Sequence, residues 1–546
     1  MAAVPKRNFA IGPFFIGTLL LFCALTFYYF AVLKIDYHKT MLLDLGWSDP
    51  SQYFAQARAL LKHGYPYLDF GYDKLPSMYP VGYPALMLPW LKVLPEADSI
   101  LAPFRTNQTI GLLLLLATFG FYAYLGIPLT GGFAALLLAT LPGFFTFCRS
   151  STSELSASAL IVFAFMFAYL GLKEERRWKI YLSAIFLGLS LNIRVQSLFF
   201  APLLLAMALF PAQGTRLHWF LHCLALPIVF ALAATPLLVL NSIQFHSPFQ
   251  TGYAFWVSST WLATHPLFSL RHIPNNIALL WRELTLRPQP VMVGHYFGTG
   301  TFFVAAFILL VGVGIFFSRL NRFVICAFSA GLSFFALTIT YYPRWMDLRF
   351  YLPLLILLVA VAVLPVIWAA ENLLAAKRTI ASLAIFGLFA AACLGYPSRS
   401  RSTRPLKVDR LQAWEALHFI TPLRQSREFI AQRHFLEMFG RQPGIVLADI
   451  NPFYLNALLP DPFVAAPLDG KRYVAFRKVV RYDRAEALAL VKHGLAQSLP
   501  VYALFVSQKE LDEKAARLPQ VDGYGWVAVG NPTAEAAILK LSPSSQ

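Results

Sequence analysis

Residues 9–33, FAIGPFFIGTLLLFCALTFYYFAVL, contain no charged side chain and outrun the roughly 20 apolar residues that cross a bilayer. Lys6 and Arg7 precede them. A cleavable signal peptide has a shorter apolar core and a small-residue cleavage site, so this segment is expected to stay as an anchor with its N-terminus in the cytoplasm. Further apolar spans follow at 107–125, 130–148, 155–172, 180–193, 195–210, 219–240, 301–317, 323–341, 350–370 and 379–396, which makes about eleven crossings. The chain is 58% hydrophobic and 13% charged, roughly half the charge of a soluble domain. An α-helical polytopic membrane protein is the predicted class. Asn192, Arg194 and Pro202 interrupt 180–210, which is expected to form two short helices.

Threading the spans from a cytoplasmic N-terminus puts KEERRWK (173–179), SRLNR (318–322) and AAKR (375–378) on the cytoplasmic side, as the positive-inside tendency prefers. An odd count sends the C-terminus outside. The net charge of +18 is therefore read as loop charge facing anionic lipid rather than as a nucleic-acid signature. Cys23, Cys148, Cys223, Cys326 and Cys393 all fall in or beside apolar spans without CxxC spacing, which predicts neither disulfides nor a zinc knuckle.

Three parts of the chain are not membrane-like. Residues 34–106 form a first outer loop too long and too rich in Tyr, Pro and charge to be a simple connection. Residues 241–300 form a second, with His246, His265, His272 and His295 among aromatics. The tail from 397 alternates strand-like runs (444–450, 501–507, 526–530, 536–542) with helical ones such as 484–497, which predicts a small extracytoplasmic α/β domain, 397–546, behind the basic linker 398–407. The membrane domain is then 1–396. No inverted internal repeat of the kind found in many transporters is visible.

In SDPSQ, Asp49 is well placed as an N-cap, Pro50 as the first helical residue and Gln52 as the third, so a helix over about 50–62 is expected to start in a capping box. Tyr53, Ala57, Leu60 and Leu61 would share one face. Asp49 has two compatible readings: a cap, or a carboxylate that takes a proton from a substrate at the membrane surface. Arg58, on the same helix, would reach a phosphate or snorkel.

The pattern Asp-x-x-x-Tyr-x-x-x-Ala-Arg-x-Leu-Leu from Asp49, Gly64, and Tyr-Pro-x-Gly-Tyr-Pro-Ala-Leu over 79–86 resemble the first outer loop of the GT-C membrane glycosyltransferases. Within that superfamily the chain looks most like the bacterial relatives of protein O-mannosyltransferases and of the lipid A aminoarabinose transferase. SSTSELSASALIVF (150–163) is similar to the family's acidic residue opening the fourth span, here Glu154. GLSLNIRVQSLFFAPLLL (188–205) resembles its short Gly-rich helix with a basic residue, here Arg194. NSIQFHSPFQTGY (241–253) looks like a family loop with His246 where Gly is usual, and RFYLPLLILL (349–358) resembles an Arg-Tyr-x-x-Pro helix start. The motifs recur in family order across 9–396.

The resemblance implies an inverting glycosyltransferase in the plasma membrane that moves a sugar from a polyprenyl-phosphate-linked donor to an extracytoplasmic glycan, lipid or protein acceptor. Asp49 would be the general base, assisted by Glu154. Arg194, Arg349 and Arg58 would bind the donor phosphate, with Arg344 a further candidate, and Tyr53, Tyr83 and His246 would lie beside the substrate. Local readings stand alongside: a first-turn acid for Glu154, pairing with Asp347 or lipid for the arginines, and an aromatic belt for the tyrosines. Some relatives hold a divalent metal, but the position aligned with a loop-one lysine here is Tyr79, so a metal stays open. A polyprenyl-linked glycan polymerase or ligase, and a secondary transporter, are the alternatives.

Overall fold

A computed structural model of the chain describes residues 11–35, 48–209, 216–257, 259–284, 321–342, 348–362, 427–439, 443–448, 452–458, 463–468, 473–475, 478–480, 484–529 and 536–544. The chain divides into two compact units. One gathers 1–35, 107–236 and 265–421; the other gathers 36–106, 237–264 and 422–546. The second unit departs from the predicted boundary at 396, because the tail shares it with the first outer loop.

The first unit is helical. α1 (Ile11–Tyr28), α2 (Ser48–His63), α3 (Gly82–Val93), α4 (Ala102–Tyr124), α5 (Pro128–Thr140), α6 (Pro142–Cys148), α7 (Glu154–Glu174), α8 (Arg177–Leu191), α9 (Pro202–Leu209) and α10 (Arg216–Phe245) follow in chain order, with α2 and α3 in the second unit. Among the described residues four helices are long and apolar enough to cross a membrane: Gly12–Leu33, Asp98–Tyr124, Glu154–Glu174 and Arg216–Phe245. The predicted spans 301–317 and 379–396, most of the second half of 350–370, and the linker 398–407 lie outside the described residues.

The predicted span 130–148 is two helices, not one. Pro142 disfavours the helical conformation at Leu141, whose ψ is 118°, and α5 stops there. The segment 180–210 breaks as expected: α8 ends at Asn192, whose side-chain amide donates to the Ala233 carbonyl at 2.9 Å, Arg194 is extended, and a 3₁₀ turn over Val195–Phe200 precedes α9. α1 and α5 pack backbone to backbone, since a Cβ at Gly17 would fall on the Pro128 carbonyl and one at Gly132 on the carbonyl of Gly17. Small residues allow that approach where apolar lipid offers helices no hydrophobic drive to associate.

The second unit carries two antiparallel pairs, β1 (Leu68–Asp69) with β2 (Lys74–Leu75) and β5 (Tyr473–Ala475) with β6 (Lys478–Val480). It also carries a five-stranded sheet in which β3 (Gly444–Ala448) is parallel to β4 (Phe463–Pro467) and β7 (Val501–Phe505), and β9 (Ala537–Pro543) is antiparallel to β7 and β8 (Tyr524–Ala528), giving the order β4-β3-β7-β9-β8. All five residues of β3 and of β7 are buried, as central parallel strands covered on both faces require. Val446, Tyr502, Leu504 and Ile538 point to one core with Phe435 of the helix Arg427–Phe439. Ile445, Leu447, Ala503 and Leu539 point to the other with Val491 of the helix Arg484–Ala496. The predicted strands match β3, β7, β8 and β9; β4 was not anticipated.

Residues 69–72 pack against the helix Pro452–Leu458 and the end of β4. Phe70 meets Phe453 at 5.4 Å, Asn456 Nδ2 donates to the Asp69 carbonyl at 3.1 Å, and the Tyr72 hydroxyl donates to the Pro467 carbonyl at 3.3 Å. Gly71 has φ 82°, and a Cβ there would land on the Ala465 carbonyl.

Candidate active site

The loop-one site is built on α2. The helix begins at Ser48, so Asp49 lies inside its first turn rather than at the cap, a shift of one residue from the sequence expectation. Gln52 does not close a capping box: its Oε1 accepts from Ser77 Oγ at 2.9 Å and from the Met78 N–H at 3.1 Å. Trp256 Nε1 donates to the Pro76 carbonyl at 2.8 Å. These bonds fix residues 76–79 so that the Tyr79 hydroxyl donates to Asp49 Oδ1. Asp49 itself is half-buried.

Tyr79 is held neutral. Burial, first, and then the negative charge of Asp49 push its pKa well above the ordinary 10.0, so it remains a donor to the carboxylate throughout the physiological range. Tyr53 packs on Tyr79 at 4.9 Å and on Tyr83 at 5.1 Å, and Tyr253 meets Tyr79 at 5.9 Å. Tyr83 is fully buried, and its hydroxyl donates to the Pro103 carbonyl at 3.1 Å. The Arg58 guanidinium is buried and donates to both oxygens of Glu96. His246 is exposed with φ 58°. That is the left-handed conformation, which Gly adopts most readily and which His is among the residues to tolerate.

Sequence reasoning gave Ser77 and Tyr253 no role, read Gln52 as a capping residue, and did not place Tyr79 on Asp49. Contacts between residues 25 or more apart in the chain carry no local signature, so periodicity and spacing had no access to them.

A separate cavity of about 530 Å³, counting its open mouth, lies in the helical unit. Glu154, Arg194 and Arg349 line it together with apolar side chains that include Ile161, Phe334 and Phe350. Glu154 opens α7 and is 3% exposed. Its Oε1 accepts from Arg194 Nη1, and Arg349 Nε lies 3.4 Å away. Both guanidiniums sit over the Phe350 ring, at 5.1 and 5.3 Å from its centroid. Opposite charge and a ring face together make burial of these charges tolerable. Tyr341, also on the wall, is anchored by Asn276, whose Nδ2 donates to the Ile339 and Tyr341 carbonyls at 2.7 Å each. Three of the sequence-predicted residues thus converge here, from α7, the turn after α8 and the 3₁₀ turn Leu348–Tyr351. Arg344 and His295 lie outside the described residues.

No group of three His, Cys, Asp or Glu side chains is arranged to hold a metal among the described residues. Asp49 accepts from the Tyr79 hydroxyl.

Comparison with protein-family models and with the sequences of curated proteins gives no match. Solved structures do match. ArnT from Cupriavidus metallidurans, solved bound to undecaprenyl phosphate, superposes with a TM-score of 0.60 at 13% identity, covering 96% of this chain and 97% of that one. The chain has the GT-C fold. The apo oligosaccharyltransferase of Archaeoglobus fulgidus, at TM-score 0.53 and 14% identity, covers 96% of this chain and 75% of its own.

Proposed function

We propose that this chain is an inverting glycosyltransferase that takes its sugar from a polyprenyl-phosphate-linked donor. The observation that carries this reading is the end-to-end likeness to a GT-C enzyme solved with undecaprenyl phosphate. Asp49 takes the proton of an acceptor hydroxyl as its oxygen attacks the anomeric carbon from the face opposite the phosphate; Tyr79 orients the carboxylate by donating to its other oxygen. The bond from the anomeric carbon to the phosphate oxygen breaks, and its electron pair leaves with the lipid phosphate. Arg194 and Arg349 neutralise that growing charge in a cavity whose apolar lining strengthens the interaction. The acceptor is a glycan, lipid or protein on the outer side of a plasma membrane, with the N-terminus cytoplasmic and the 427–544 sheet extracytoplasmic.

The test is consumption of polyprenyl-phosphate sugars by the purified protein in nanodiscs. Release of polyprenyl phosphate by the wild type and not by Asp49→Asn supports the reaction and the base. An Asp49→Asn variant that turns over normally removes Asp49 from the chemistry, and a wild type that consumes no donor across a broad panel with acceptors present removes the reaction.

A further inference from the structure

The two edges of the five-stranded sheet are finished differently. On β4 the outward backbone of Ala465 is closed: its N–H donates to Asn456 Oδ1 at 2.6 Å, its carbonyl accepts from Asn456 Nδ2 at 2.8 Å, and Gly71 lies against it. At the other edge β8 pairs with β9 alone among the described residues. Its register runs without a bulge from Tyr524 opposite Pro543 to Ala528 opposite Leu539, and the stretch GYGWVAVG (523–530) holds no charge and no proline. Those are the devices that usually keep an edge strand from taking up another. Ser544 N–H donates to the Gly523 carbonyl at 2.9 Å and Val529 N–H to the Ile538 carbonyl at 3.0 Å. Antiparallel pairing alternates, so the odd-numbered residues of this stretch turn their backbone to β9 while Tyr524, Trp526 and Ala528 turn theirs outward. The Tyr524 N–H is spent on the Val521 carbonyl at 3.1 Å. Trp526 and Ala528 thus hold both backbone groups on the open edge, and Val527 between them is 54% exposed.

We propose that β8 pairs antiparallel with β8 of a second copy of this chain, about a two-fold axis through Val527, so that one sheet continues across two molecules. The pattern of outward groups is self-complementary, as a two-fold contact requires. An axis at Val527 sets Trp526 opposite Ala528 of the second copy, and the reverse, so each open N–H meets an open carbonyl and the spent Tyr524 N–H is not called on. Val527 then meets its own copy in a non-hydrogen-bonded position, where side chains approach most closely and a β-branched pair stabilises the ladder. Charge favours a like partner here. The whole chain carries +18, but residues 484–546, which supply β7, β8 and β9, hold six Lys or Arg against six Asp or Glu, so two such regions do not repel. Trp526 needs no rearrangement, since its Nε1 already donates to the Pro519 carbonyl at 3.0 Å. One short strand pair is a small interface, and the association is therefore reversible and grows with the density of protein in the membrane.

Cysteine cross-linking in membranes that carry the full-length chain tests the pairing and its register together. Val527→Cys would face its own copy with roughly 4.5 Å between Cα atoms, within reach of a disulfide. Gly525→Cys would lie roughly 13 Å along the strand from its copy, at about 3.3 Å per residue. Mild oxidation is expected to link Val527→Cys into a dimer at least about tenfold faster than Gly525→Cys, and faster than the wild type, whose exposed Cys23 sets the background. Ala528→Pro, added to Val527→Cys, removes an outward N–H and no bond to β9, and should abolish the link at an unchanged unfolding temperature. If that variant is unstable, Val527→Lys serves instead, because it adds only a charge at an exposed edge position. Two differently tagged wild-type copies should then co-purify and two Val527→Lys copies should not. Equal rates for the two cysteines, a Val527→Cys chain that forms no dimer or links only to another protein, or pairing that survives both Ala528→Pro and Val527→Lys, overturns the proposal.

Discussion

Asn has nearly the shape of Asp and its amide oxygen can still accept from the Tyr79 hydroxyl, but only Asp accepts a proton in this chemistry. Asp49→Asn should therefore fold like the wild type and lose about 10²–10⁴-fold in turnover, checked by donor consumption at matched thermal stability. Tyr79→Phe removes the hydroxyl that orients the carboxylate; turnover should fall by about tenfold or more with the Michaelis constant for the donor little changed. The same variant has a stability signature. Because the folded-state pKa of Tyr79 lies well above the ordinary 10.0, its contribution is complete below pH 10 and is lost as pH rises toward the folded value, since only the unfolded chain releases the proton readily. Thermal unfolding at pH 8 and at pH 10.5 should show a smaller alkaline loss in Tyr79→Phe than in wild type. Arg194→Gln removes a guanidinium from the buried Glu154 carboxylate and should weaken donor binding while destabilising the protein by about 3 kcal/mol or more.

At the scale of elements, much of the pattern was legible. Asn192, Arg194 and Pro202 announced the break after α8, and β3 and β7 announced themselves as continuous apolar runs, because each signal is local to the residues that make it. Leu141 was missed inside a predicted span, although Pro142 carries the reason: the residue before a proline avoids the helical region. The seam between α1 and α5 is the element-scale weak point. Gly17→Val should separate the two backbones and destabilise the protein by about 2–4 kcal/mol, read as a fall in the detergent unfolding temperature.

On the scale of the molecule, the tail is not an appendage to its own unit. Deleting residues 422–546 would strip Phe70, Asp69 and Tyr72 of Phe453, Asn456 and Pro467. The truncated chain should lose donor consumption, and limited proteolysis should cut the first outer loop that the full-length protein protects. A truncated protein with wild-type turnover would show that the loop holds its shape alone. Gly71→Val tests the same seam more gently: positive φ and the Ala465 carbonyl both oppose the new side chain, at about 2–4 kcal/mol.

The sequence by itself determined the membrane class, the long polar segment after the first span and the alternating tail, and the family resemblance it carries singled out Asp49, Glu154, Arg194 and Arg349. Those are properties of composition, periodicity and ordered motifs, each readable within a short stretch. Only the tertiary structure decided what the charges do. It paired Arg58 with Glu96 and turned Tyr83 inward. It set Tyr79 on Asp49 and drew Glu154 between two arginines that lie 40 and 195 residues away along the chain. The partner of a buried charge is chosen by how the chain closes on itself, and the energy of that pairing depends on distance and surrounding dielectric, neither of which is written in any local pattern.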